Sequence, residues 1–598
     1  MRKCIFFLFF LYTFSFATES EVISKARELK LYKKLEWKSL LHFRKGLDIQ
    51  DPSFILSKKF SLENELIATI KAFYEPASKY KDINNHPQCR FPARKLFIMH
   101  ELNISKDEFP TINCPELKIY ETKAPADNIY LVYVSENVIN PPSMMGHTFL
   151  KYSGLRNDGR KVEHAVTFYT IIQSQNPLTL IYQNLFSGMP GLFSLQPYRY
   201  LLYRYTINEN RNVWEYKLSL SKYRKKLIYY HVWELKDVKM KYFFINYNCS
   251  TVIYYMLSLA NPNIYNEYKL WMTPLDTVKL INKYNMVKDK KLIASNRWII
   301  KMILENSISN KINDVKDIVI NNNIKKISTL DFPSTVLLYS YNELEYNKNN
   351  IDENKYKIIK KLATEKLNKT NFSFDISKYK NPNKIPNERQ FSFGYINIQG
   401  EKYLKIDFLP ASHLLSDNNR QYFGESELKI FHFSFLLNKN HLDLNEFTPY
   451  SMKSIIPYDT FTHDLSYQFY LGIKKEYSKD FQLVHTYKID GGMGIDFLLG
   501  NDINIFAMLN LGIGYNNQAN LHAFFNPQIG LIIYEIFHMK SLIYYQPLYI
   551  NTEYVYNKFV LNHNIFLSKN SALYFNFSKI AAVKKNKNIY EFGVKILF

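Results

Sequence analysis

The spacing of apolar residues changes character along the chain. From 18 to 115 they recur at intervals of three and four, as in Leu35-Glu-Trp-Lys-Ser-Leu-Leu-His-Phe43 and from Leu62 to Phe73, which predicts a small helical N-terminal domain. From 120 to 285 short apolar runs take over. Asn128 to Ser135, Thr148 to Tyr152, Val162 to Thr170 and Trp214 to Leu218 read as strands, and Ser187 to Leu192 as a loop or tight turn. Leu227 to Leu235 and Thr251 to Leu259 read as helices, the second stopped by Asn261-Pro262. Strands followed by helices in separate runs predict an α+β layer. From 286 to 387 the chain is rich in Lys and Asn, with amphipathic helical stretches such as Lys355 to Leu367, and it ends in a Pro/Asn-rich linker from Lys378 to Asn387.

The stretch 388–598 alternates apolar and polar residues in short runs separated by Asn, Asp, Lys and Gly. Tyr590, Phe592, Val594, Ile596 and Phe598 point one way, while Glu591, Gly593 and Lys595 point the other. Leu465 to Ile473 and Ile505 to Tyr515 repeat the pattern. Strands of roughly ten residues with an aromatic-rich face predict an antiparallel transmembrane β-barrel of about twelve strands. A soluble β-sandwich is the competing reading, since it too alternates.

The first seventeen residues read as a signal peptide: Arg2 and Lys3, then the apolar run Ile5 to Phe16, then small residues around Ala17. A retained membrane anchor needs a longer apolar stretch. Cys4 leaves with that segment, so three cysteines remain. Cys89 and Cys114 lie in a Pro-rich, loop-like stretch where a disulfide would tie the loop down, leaving Cys249 over. The net charge of +23 raises the question of nucleic acid. Lysine is scattered through the chain without a basic motif, so no nucleic-acid partner is expected, and anionic lipid headgroups suit the charge better.

Candidate chemistry sits on two segments. His147 ends the polar part of Asn140-Pro-Pro-Ser-Met-Met-Gly-His-Thr-Phe-Leu150, with His164 shortly after it, and Cys249 lies in Asn246-Tyr-Asn-Cys-Ser-Thr251. An imidazole can take a thiol proton, and a helix N-terminus stabilises the thiolate. If the strands bearing His147 and His164 pair as a hairpin, the two rings can lie side by side, one as base and the other orienting it. Asn248 and Ser250 are the candidate oxyanion or supporting groups, although Asn before a helix also serves as a plain cap. Two histidines and a cysteine could also ligate zinc, but these spacings fit no compact metal motif, and no metal or other cofactor is expected. His42, His86 and His100 have no partners at ligand spacing and read as structural.

At these residues the chain resembles the Lnb N-terminal periplasmic domain family. The resemblance lies in Asn140 to Leu150, Ala165-Val-Thr-Phe168, Gly188-Met-Pro-Gly191, Arg211 to Tyr216, His231-Val-Trp-Glu-Leu235 and Tyr242 to Cys249, and spans about 120 to 275. It implies a circularly permuted papain-like fold and a thiol acyl-enzyme, with Cys249 as nucleophile and His147 as base. His164 matches only through the Ala-Val-x-Phe that follows it. Some members of the family are lipoprotein N-acyltransferases with C-terminal membrane helices, where this chain has the barrel pattern.

The reading is therefore a periplasm-facing cysteine acyltransferase or hydrolase in the bacterial outer membrane. Its expected partners are membrane lipid, a lipoprotein or peptidoglycan, and the outer-membrane insertion machinery. A peptidoglycan amidase or endopeptidase is the alternative enzyme. A non-catalytic channel or assembly protein is the alternative of another class.

Overall fold

The computed structural model describes residues 18–598 apart from 138–143, 173–175, 177–178, 180–181, 307–310, 370–378, 399, 440 and 583–584. The signal-peptide segment and Asn140 to Ser143 lie outside the described residues. The chain divides into two compact units, and it passes between them within β1 (Asn128–Val134) and β2 (His147–Leu155).

The first unit comprises the N-terminal region to Tyr130, Leu150–Pro197 and Leu218–Tyr268. Its N-terminal region is helical, as the three-and-four spacing predicts. Helix Leu62–Phe73 starts where Ser61 accepts the Asn64 N–H, and Trp37 is held by stacking on Phe97 and by donating to Leu62 O at 3.0 Å. Helix Pro92–Leu102 packs on helix Lys222–Glu234, whose Glu234 carboxylate accepts the Ala93 and Arg94 N–H groups at 2.8 and 2.9 Å. A carboxylate at a helix N-terminus both satisfies orphan donors and opposes the macrodipole.

Cys89 and Cys114 form a disulfide at a sequence separation of 25. Closing a loop of that size stabilises by about 3 kcal/mol on chain-entropy grounds. The Cys89→Ser/Cys114→Ser protein is expected to lose stability of that order, read as a lower urea midpoint for this unit; an unchanged midpoint would contradict it.

In the same unit β2, from Leu150 onward, pairs antiparallel with β3 (Lys161–Thr170), β3 with β4 (Met189–Pro197), and β4 with β5 (Met240–Tyr242). The Ser187–Leu192 stretch, expected as a loop, is strand from Met189. Its glycines mark close approach: a Cβ on Gly191 would lie 2.6 Å from the Phe168 ring and 3.0 Å from Met240 O. Glycine there lets β5 pair beside a packed aromatic ring.

The second unit comprises Leu131–Phe149, Tyr198–Lys217 and Lys269–Phe598. Helices Asn296–Asn306, Ile312–Asn321, Phe332–Asn347 and Glu353–Asn368 share a core that includes Ile303, Val315, Ile318, Leu337, Leu338 and Ile359. Beyond them the chain forms a closed antiparallel barrel. Fourteen strands make twelve passes, because Ala411–His413 is a short flanking strand and Asn520–Phe525 with Gln528–Glu535 form one interrupted pass. The last strand, Asn586–Leu597, pairs with the first, Gln390–Ile398, which removes the unpaired edges.

The two faces of this barrel decide between membrane and soluble readings. Leu509, Leu511, Ile513 and Tyr515 are exposed on one strand, as are Tyr590, Phe592, Val594, Ile596 and Phe598 at the end. The interior holds charges instead, including the ion pairs Lys405–Glu591 at 3.0 Å, Lys429–Glu446 at 3.4 Å and Lys488–Glu476 at 3.1 Å. A sandwich hides its apolar face and wets its polar one. This barrel does the reverse, which suits hydrocarbon outside. No described helix is long and apolar enough to cross a membrane.

Candidate active site

Cys249 is the first residue of helix Cys249–Ala260, is 5% exposed, and stands outside the disulfide. The turn before it is tightly specified. Phe243 and Tyr247 exchange both backbone hydrogen bonds, at 3.0 and 3.3 Å, closing a short loop. Asn248 then caps the helix: its Oδ1 accepts the Thr251 N–H at 3.0 Å, while Thr251 Oγ1 accepts the Asn248 N–H at 3.4 Å. The Asn248 amide nitrogen donates to Phe244 O at 2.8 Å, so this side chain ties the turn together as well as capping it. Ser250 is fully buried, with Oγ 3.8 Å from Cys249 Sγ. Apolar burial of Val252, Ile253, Met256 and Leu257 anchors the helix behind the thiol. The sulfur therefore sits where helix N–H groups favour its anion.

His147 opens β2 in the second unit. Gly146 precedes it at φ +81°, and a Cβ there would meet Val134 O at 2.7 Å, so only glycine admits this entry to the strand. Thr148 fixes the strand end, donating to Val132 O at 3.2 Å and lying 3.1 Å from Thr277 Oγ1. The His147 ring lies among Phe149 and Tyr205, with centroids 5.9 and 6.2 Å away. Burial, aided by the positive charges of Arg211 and Arg204, pulls its pKa down to about 3. The imidazole is thus neutral at physiological pH, and a ring held this low is a weak proton acceptor.

That shift has a sign. An unfolded histidine takes a proton near pH 6.5, whereas folded His147 resists it until about pH 3, so its contribution to stability is lost as pH falls through that window. His147→Gln is expected to flatten acid destabilisation between pH 6.5 and 3, measured by urea midpoints at each pH. An unchanged pH slope would contradict this.

His164 does not stand beside His147. The β2–β3 register sets His164 opposite Tyr152 and, on the other side, opposite Pro197. Tyr152 is five residues along β2 from His147, roughly 17 Å at the usual strand rise. His164 is half-buried, with its Nδ1 lacking a hydrogen-bond partner, and burial together with Arg156 lowers its pKa. The hairpin forms, but its register separates the two histidines.

His42, structural by its sequence context, lies in the first unit. It is fully buried, with Nδ1 2.6 Å from Tyr247 Oη and Nε2 3.0 Å from His231 Nε2, in contact with the segment that leads into Cys249. Those partners lie 205 and 189 residues away, so no local signal marks it.

Fold and site define an outer-membrane β-barrel protein that carries a periplasmic α/β domain. Residues 116–284 match the family model of the Lnb N-terminal periplasmic domain, and this segment is a domain of that family. Residues 29–101 and 380–596 match two domains of unknown function, DUF7843 and DUF7840. No curated protein matches the chain.

Among solved structures the chain is similar to the KdgM porin in complex with disordered oligogalacturonate, at 10% identity, covering 35% of this chain and 99% of that one, TM-score 0.22. It is similar to an outer membrane channel from Pseudomonas putida F1, at 12% identity, covering 38% and 100%, TM-score 0.23. It is also similar to a loop-deletion mutant of OmpT, an outer membrane protein of Vibrio cholerae, at 8% identity, covering 35% and 97%, TM-score 0.20. At such TM-scores, closure and the twelve passes stand on the strand pairing itself.

Proposed function

We propose that the protein is a periplasm-facing cysteine acyltransferase or hydrolase acting on a lipid-linked substrate. The observation that supports it most is the buried Cys249 thiol at the mouth of a capped helix, within the segment matching the Lnb periplasmic domain. In this reading the Cys249 thiol gives up its proton to a general base. The thiolate adds to the ester carbonyl of a phospholipid, and first-turn backbone N–H groups receive the oxyanion. Collapse breaks the C–O bond, and the protonated base returns its proton to the departing alcohol, giving lyso-phospholipid and a thioester on Cys249. An amine of a lipoprotein, or water, then adds to the thioester and restores the thiol. Anchoring in the membrane that supplies the substrate raises the effective concentration of lipid at the site.

The test is lipid mass spectrometry on the purified full chain mixed with phosphatidylethanolamine vesicles, with and without a lipoprotein acceptor. Lyso-phospholipid should appear with the wild type and not with Cys249→Ala. No lyso-phospholipid from the wild type, or altered muropeptides from peptidoglycan instead, would overturn the lipid reading.

A further inference from the structure

Four buried side chains from segments distant in sequence form one hydrogen-bonded line behind the Cys249 turn, all within the first unit. Glu234 Oε2 lies 2.9 Å from His231 Nδ1, His231 Nε2 lies 3.0 Å from His42 Nε2, and His42 Nδ1 lies 2.6 Å from Tyr247 Oη. The order of protons follows from the carboxylate end. Glu234 already accepts the Ala93 and Arg94 N–H groups through its other oxygen, and a carboxylate only accepts. His231 must then donate from Nδ1 and, when neutral, accept at Nε2. His42 consequently donates from Nε2 and accepts at Nδ1, so the Tyr247 hydroxyl donates to it at 2.6 Å in preference to the weaker acceptor Met240 Sδ at 3.6 Å. Burial, helped by the nearby Arg44 and Arg94 charges, holds His42 well below the usual histidine range, which favours the neutral ring this order uses.

A second set of contacts holds the same turn. The His42 ring stacks on Tyr255 of the cysteine helix, with centroids 4.2 Å apart. The Tyr255 hydroxyl donates to Asp48 at 2.6 Å, and Arg44 donates to both Asp48 oxygens, at 2.7 and 2.5 Å. The same Arg44 donates to Asn246 O at 3.3 Å and stacks on Tyr268, 3.9 Å from its centroid. Among the described residues no three His, Cys, Asp or Glu side chains are grouped to hold a metal ion.

We propose that this line is a positioning device for the nucleophile: the N-terminal helical region, through His42, Arg44 and Asp48, locks Tyr247 and with it the Asn248–Cys249 turn. The inference rests on the reading of Cys249 as the reactive thiol. A core that only needed filling would take apolar residues of similar volume at no loss of stability. What a directional polar line adds is one fixed orientation for the group at its end. That end is Tyr247, whose backbone closes the loop with Phe243 and whose next residue is the helix cap. Fixing it fixes how the first-turn N–H groups meet the sulfur. His42, His231, Glu234 and Tyr247 are positioning residues in this account.

The test uses the full chain in detergent, with Tyr247→Phe as the mild variant, His42→Ala as the severe one, and His42→Gln as a replacement able both to accept and to donate. Two quantities are read: the rate of Cys249 alkylation by iodoacetamide from pH 5 to 9, located by peptide mass, and hydrogen exchange of the amides over 243–252. Tyr247→Phe is expected to slow alkylation at pH 7 about tenfold, the loss of one buried hydrogen bond. It should also move the pH profile upward and speed exchange across the turn. His42→Gln should recover part of what His42→Ala loses. A Tyr247→Phe protein with wild-type pH profile and wild-type exchange overturns the inference. If wild-type Cys249 labels no faster than an ordinary thiol, the nucleophile reading fails, and exchange alone then decides: lost protection in Tyr247→Phe upholds the positioning role, and retained protection overturns it.

Discussion

Cys249→Ala is expected to lower lyso-phospholipid release by at least about 10⁴-fold, the scale on which removing the nucleophile of a covalent mechanism acts. Stability should change far less. The side chain is small, its helix is anchored by Val252, Ile253, Met256 and Leu257, and Asn248 still caps the first turn through Thr251. The two effects therefore separate: an almost unchanged unfolding midpoint with activity at background. A Cys249→Ala protein that keeps activity within tenfold of the wild type would remove the thiol from the mechanism, whatever its fold.

Glu65→Ala is expected to destabilise the first unit by about 3–5 kcal/mol, the range for breaking one partner of a buried ion pair. Glu65 and Arg94 are both fully buried, and Arg94 Nη1 donates to Glu65 at 2.9 Å. The same carboxylate accepts the Leu56 N–H at 2.9 Å and the Ser57 N–H at 2.8 Å. Removing it leaves two backbone donors and a guanidinium without their acceptor. The cation would then sit among Phe54 and Phe91, with ring centroids 4.7 and 4.1 Å away, while keeping only its bond to Phe54 O at 2.7 Å. Glu63→Ala is the control, since its partner Arg27 is exposed and such pairs contribute little. Urea unfolding followed through Trp37 fluorescence measures both. Equal midpoints for the two variants would contradict the account of this core.

The barrel was the most legible part of the sequence because alternation is local: a strand with every second residue apolar declares its faces without knowing its neighbours. Alternation alone did not tell membrane barrel from sandwich. That needed closure of the first strand on the last and the ion pairs inside. The Cys249 turn was legible for a similar reason, since Asn-Cys-Ser-Thr before an apolar run carries its own cap. Where the outcome depended on register or on distant partners, the sequence was silent or misleading. The His147–His164 pairing failed because hairpin formation does not specify register, and the register sets His164 against Tyr152. The strand from Met189 reads as a turn because glycine is a turn residue by type, while here Gly191 admits the Phe168 ring. His42 carried no signal at all, its meaning residing in Tyr247 and His231. Domain order along the chain also differs from compactness in space, as 131–149 and 198–217 cluster with the C-terminal unit.

Peptide mass spectrometry of the protein quenched in acid during turnover with phospholipid tests the central claim most directly. The expected result is an added mass of one fatty acyl chain on the peptide containing Cys249, released by neutral hydroxylamine. A Cys249 peptide that never carries an acyl group while lyso-phospholipid accumulates, or an acyl group found on another residue, would contradict it.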